Sequence, residues 1–160
     1  MPIQLTAAHA RESLTAHVAA RGAEIFARFG PQVGWPELNA LLADRACVRY
    51  PCAIAFDAAG LQSGECCHAQ ARGELPEQGF TVYVHPIFLT QLPMVPYLVL
   101  YQLVVVNYGG FASAEDAEAF AAAALGLDRD LYYQALCQLA DQLGDGLEPD
   151  PGASSCCGHA

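Results

Sequence analysis

The chain has 160 residues and a mass of 17.0 kDa, which suits one domain whose core is large enough to fold without metals or disulfides. Hydrophobic residues make up 54% and charged residues 15%, with a mean hydropathy of +0.24, a balance that excludes disorder over most of the length. Seven basic residues against seventeen acidic ones leave a formal charge of -10, a field that repels phosphate backbones and anionic lipid headgroups and argues against nucleic acid and membrane partners.

All seven basic residues are arginine, so Schiff-base chemistry and the lysine-bearing phosphate loop have no residue to run on. The opening stretch MPIQLTAAHARESLTA lacks a basic cluster followed by an apolar run, which predicts no secretory signal and a cytoplasmic location. In that compartment Cys47, Cys52, Cys66, Cys67, Cys137, Cys156 and Cys157 are expected as free thiols, and their odd number already prevents complete internal pairing.

In chain order, residues 6–29 place Leu14, Val18, Ile25 and Phe29 on one helical stripe, with Thr6 as N-cap and Gly30-Pro31 as the stop. Pro36 to about Asp44 predicts a shorter helix with Leu38, Leu41 and Leu42 on its inner face. CVRYPCAIAFD alternates as a strand, and Pro51 within it argues for an edge position or a late start. Residues 58–79, rich in Gly and Pro, read as loops with one short strand around Cys66 to Ala71. In FTVYVHP, Phe80, Val82 and Val84 face one way and Thr81, Tyr83 and His85 the other.

The apolar stretch 96–106 falls short of the ~20 residues that span a bilayer and reads as a buried element. It suits a helix 96–108 opened by Pro96, although Val104–Val106 also fits a buried strand. Ser113 opens a capping box for a helix ending at Gly126, and Asp128 caps a last helix with Tyr132, Leu136, Leu139 and Leu143 on its stripe. The whole predicts an α+β domain over 1–144, with a small, mainly antiparallel sheet packed against about four main helices, and a flexible tail over 145–160.

The order helix, strand, glycine-rich meander, strand ending in His-Pro and buried helix, over roughly residues 47–126, resembles the compact zincin-like metallopeptidases, including SprT-type domains. In that family the helix after a strand like FTVYVHP carries His-Glu-x-x-His, whose two His bind zinc and whose Glu activates water. The matching stretch here begins at Tyr101. Tyr101 and Val105 stand in the ligand positions, Gln102 stands in the place of the base, and Glu118 is the one candidate for a third, carboxylate ligand. The resemblance thus implies a degenerate relative that keeps the fold and lacks peptide hydrolysis, since a carboxamide accepts no proton at neutral pH.

Two constellations stand apart from that helix. Cys66-Cys67-His68 lies in the loop-rich middle, and Cys156-Cys157 with His159 closes the chain. Thiolate and imidazole suit soft or borderline ions such as Cu(I) and Zn, so these six residues are the candidate metal or redox site. Cys52 and Cys137 are expected in the core, His9 and His17 toward solvent, and His85 beside Tyr83 is a further candidate. Two functions are expected, one from these residues and one implied by the resemblance. The first is reversible soft-metal or thiol chemistry at the vicinal cysteines. The alternative is a catalytically inactive zincin-like module that binds a protein or peptide by strand addition beside residues 80–86.

Overall fold

A computed structural model of the chain describes residues 7–144, apart from the side chains at positions 8, 9 and 11. The Thr6 cap, the His9 ring and the expected tail with Cys156, Cys157 and His159 lie outside the described residues. Helix α1 (Ala7–Phe29) buries Val18 and Ile25, two turns apart, and stops where Gly30-Pro31 was expected to stop it. Helix α2 (Trp35–Leu42) opens at Gly34, whose N–H donates to Glu37 Oε1 at 3.0 Å, and buries Leu38, Leu41 and Leu42.

Strands β1 (Cys52–Phe56), β2 (Cys67–Ala71) and β3 (Phe80–Val84) form one sheet in the order β1-β3-β2. Pro51 delays the first strand, and residues 45–50 form a turn and a bend, with Val48 in the core. The sheet is mixed, which corrects the expectation of a mainly antiparallel one: β3 runs antiparallel to β2 and parallel to β1. The cause is the path of the chain. A short hairpin reverses β2 into β3, and two reversals after β1 bring β3 back in the first strand's direction, in the slot between the other two.

Helix α3 (Val95–Tyr108) resolves the ambiguity at Val104–Val106 in favour of helix, because sheet, α2, α4 and α5 all pack around it and bury eight of its residues. With the 3-10 turns at either end, Leu92–Phe111 spans 20 residues at hydropathy 1.3, enough by length and composition to cross a membrane. Here it is the central helix of the packed core, and an apolar helix enclosed on most sides is the ordinary consequence of that position.

Helix α4 (Ala114–Leu125) starts with the predicted capping box: Ser113 Oγ accepts from Asp116 N at 3.2 Å, and Asp116 Oδ2 accepts from Ser113 N at 2.9 Å. Asp116 is fully buried, and its Oδ1 accepts from Thr15 Oγ1 at 2.7 Å, so the cap also ties α4 to α1. These helices touch closely at Gly22, where a Cβ would lie 2.3 Å from the Phe120 carbonyl oxygen. Gly126 ends α4 with φ 69, a left-handed conformation that favours glycine. Helix α5 (Arg129–Gly144) follows, with the Asp128 carboxylate accepting from Asp130 N at 2.7 Å and Tyr132, Leu136 and Leu139 buried. The arrangement is α+β, with five α-helices among the described residues.

Candidate functional site

Of the positions singled out by the family resemblance, Tyr101, Gln102 and Val105 lie on the middle turns of α3, where that helix packs against β2, and Glu118 lies on α4. The ladder to β3 uses Cys66 O, which accepts from His85 N at 2.8 Å, and Arg72 N, which donates to Gly79 O at 2.9 Å. Strand alternation then turns the backbone groups of Cys67 and Ala69 toward the outer edge of β2. Both meet Gln102: its Nε2 donates to Cys67 O at 3.3 Å and its Oε1 accepts from Ala69 N at 3.1 Å. One side-chain amide thus supplies the donor and acceptor that a further strand would bring.

Tyr101 is half-buried and Val105 is 41% exposed. Glu118 is drawn to a different task, accepting from Arg129 Nη2 at 3.0 Å and so tying α4 to the start of α5. None of these side chains except Glu118 is a usual zinc ligand. Among the described residues no group of three His, Cys, Asp or Glu side chains is placed to hold a metal ion.

Cys66 and Cys67 are both buried, at 5% and 7% exposure, Cys66 in the bend that leads into β2 and Cys67 as its first residue. His68 is exposed, with Nδ1 3.6 Å from Glu65 Oε2. Four described cysteines, Cys47, Cys52, Cys66 and Cys67, are in the thiol form, whereas Cys137 is half-buried and disulfide-bonded, which corrects the expectation of seven free thiols. Cys52 is half-buried rather than enclosed, and its burial pushes the thiol up to about 11, against weaker opposing pulls from Arg72 and Arg45. His85 Nδ1 accepts from Ile87 N at 3.2 Å and caps the turn after β3, the backbone role that a lone strand-end imidazole often takes. Tyr83 is half-buried on that same strand.

The expected peptide groove beside residues 80–86 is not at an edge. β3 is the central strand, with both of its ladders filled. The remaining edge belongs to β1. Phe80 N donates to Pro51 O at 2.8 Å, so the parallel ladder takes residues 51, 53 and 55, and the backbone of Cys52, Ile54 and Phe56 faces outward with no strand partner among the described residues.

A second feature escaped the sequence reading. Arg21 and Arg28 on α1, and Arg45 and Arg49 in the turn after α2, line a cleft of about 370 Å³ with His17, Cys47, Asn107 and Tyr108. His17 is exposed as expected, yet its ring stands edge-on to Tyr108 with centroids 5.7 Å apart. The signal was present as spacing: Arg21 and Arg28 are two helical turns apart, and Arg45 and Arg49 flank Cys47. What brought the two pairs together was the fold of residues 43–50 against α1.

Comparisons with known protein families, curated proteins and solved structures returned no match. The functional reading therefore rests on residues and geometry.

Proposed function

We propose that the chain is a non-hydrolytic interaction domain on a zincin-like scaffold, and that it takes an extended peptide segment along the outer edge of β1. The observation that carries this reading is the contrast set up by Gln102. The residue in the place of the catalytic base has both polar atoms engaged by the backbone of β2, while the opposite edge of the sheet has backbone groups with no partner among the described residues. With Tyr101 and Val105 on either side of it, α3 offers neither the paired imidazoles nor the base of a zinc hydrolase. Strand addition needs what β1 has: alternating N–H and C=O groups for affinity, and half-buried Ile54 and Phe56 beside them for side-chain contacts.

Selection of peptides from a displayed library on the full chain tests the binding half. Selected peptides are expected to bind about tenfold or more weakly to Ile54→Pro, which removes one outward N–H at a position where an edge strand tolerates proline. No enrichment, or equal binding to a folded Ile54→Pro protein, overturns the peptide reading. The scaffold half is tested by Tyr101→His/Gln102→Glu/Val105→His. A zincin-like helix predicts that this variant gains one zinc ion by native mass spectrometry; a folded variant that gains none removes the zincin-like reading.

Soft-metal or thiol chemistry at Cys66, Cys67 and His68, with Cys156, Cys157 and His159, is a second proposal, favoured by the exposed imidazole that follows two thiols. Cys66→Ser/Cys67→Ser is expected to lose Cu(I) or Zn that the reduced wild type retains in native mass spectrometry. Equal metal content in the two proteins rejects it.

A further inference from the structure

The arginine-lined cleft is independent of the sheet edge and of the motif positions on α3. Four of the seven arginines of a chain carrying a formal charge of -10 converge there, against the two carboxylates that pair with them. Arg21 Nη1 lies 3.0 Å from Glu24 Oε2, and Arg28 Nη2 lies 2.5 Å from Asp44 Oδ2. The other two guanidiniums have no carboxylate partner among the described residues. Arg45 Nη1 donates to the carbonyls of Leu42, Val48 and Tyr50 at 3.2, 3.4 and 3.5 Å, which fixes the group without neutralising it. Arg49 has its backbone held, its N–H donating to Asn107 Oδ1 at 2.8 Å, but its guanidinium has no hydrogen bond or ion pair among the described residues.

Four arginines line the cleft and two carboxylates pair with two of them, so this set of residues carries a formal charge of +2. Cys47 does not cancel it. Burial pushes that thiol up, with Asp44 adding to the effect against the pull of Arg28 and Arg21, so the sulfur stays neutral at ordinary pH. Tyr108 is likewise held above its ordinary value by burial, which keeps its hydroxyl a donor. Asn107 Nδ2 donates to Cys47 O at 3.1 Å, so the end of α3 holds the turn carrying Arg45 and Arg49 in place before any ligand arrives. The Arg45 guanidinium is held in advance and loses little freedom when an anion binds, the Arg49 guanidinium is free to turn toward it, and guanidinium forks match phosphate oxygens in geometry.

We propose that this cleft binds the phosphate group of a small molecule, with Arg45 and Arg49 as the principal donors. The size of the cleft lies in the range of small-molecule sites, and the acidic surface beyond it disfavours a long polyanion such as nucleic acid. Two guanidinium forks on the turn, with two further arginines of α1 lining the same cleft, offer more donors than a planar carboxylate with two oxygens takes up and suit an oxyanion with three peripheral oxygens.

Calorimetric titration of the full chain with inorganic phosphate, phenyl phosphate and acetate, at ionic strength held constant with sodium chloride, tests the site. The expected result is saturable binding of one phosphate, about tenfold weaker in Arg49→Gln and unchanged in Arg72→Gln. Arg49→Gln removes no described side-chain bond, so its melting curve should match the wild type, and Arg72 lies on the sheet with its Nε 3.3 Å from Thr81 Oγ1. Tighter binding of phenyl phosphate assigns the site to a phosphate ester, and equal binding assigns it to the free ion; both support a phosphate site. Absence of saturable binding, equal binding of acetate, or the same loss in Arg72→Gln as in Arg49→Gln overturns it.

Discussion

The two outer strands of the sheet have the same length but opposite fates at their edges. β2 meets a side chain from α3, which supplies one donor and one acceptor to its backbone; β1 meets no strand and no such side chain among the described residues. An open edge is a liability that folded proteins commonly close, so an edge left unpartnered beside a closed one marks a difference in use. The same contrast explains why Gln is found at position 102. A carboxamide carries both a donor and an acceptor, as a peptide group does, whereas a glutamate carries acceptors alone once ionised.

The largest effect is expected from Gln102→Glu, which would set a carboxylate oxygen against the Cys67 carbonyl in a partly buried site. Destabilisation of about 2–3 kcal/mol at neutral pH is the expected outcome. The unfavourable contact raises the introduced carboxyl's folded value above its unfolded one, so the protonated form is the better tolerated. The variant should therefore regain stability as pH falls through that raised value, a trend that urea melts at neutral and mildly acidic pH would show. No pH dependence relative to wild type would mean that Gln102 does not hold the edge.

Gln102→Ala removes both hydrogen bonds without adding charge, and a loss of about 1–2 kcal/mol is expected in the same melts. It also opens the second edge, so association of the chain with itself should rise in sedimentation measurements. Ile54→Pro is expected to cost about 1 kcal/mol through lost packing, less than either change at Gln102, because the N–H it deletes faces away from the ladder. A cost above that of Gln102→Glu would show that β1 has a partner on its outer side.

The smallest effect concerns Cys52, at the start of β1. Its folded thiol titrates near 11 against an ordinary value of 9.0. A raised value means that the neutral thiol is the form favoured by folding. The associated stability is complete below about pH 9 and is lost as pH rises toward 11. Alkylation of Cys52 should thus be slow at pH 8 and accelerate toward pH 11, as peptide mapping after timed labelling would show. Rapid labelling at pH 8 would place Cys52 in a more open setting than the half-buried one at this edge.

Much of the helical frame was legible in the chain itself. The Ser113 capping box, Gly126 as the end of α4, the leucines of α2 and the alternation of residues 80–84 are local signals, and local hydrogen bonding or burial enforces each of them. The candidate sites were less legible. Gln102 reads in sequence as the loss of a base, and only its placement across β2 reveals two backbone partners 33 and 35 residues away. The arginines gave no contiguous motif, since 21 and 28 belong to one element and 45 and 49 to another.

The sequence by itself determined the exclusions and the elements: an acidic chain without lysine, helices with readable starts and stops, and three short strands broken by glycine and proline. Tertiary structure alone decided that β3 lies between β1 and β2, and therefore which strand edge is open. It also decided which arginines share a cleft. Periodicity and capping act within a few residues, so they are written in neighbouring positions. Strand order and the convergence of like charges depend on how distant segments pack, and the same local pattern is compatible with more than one such packing.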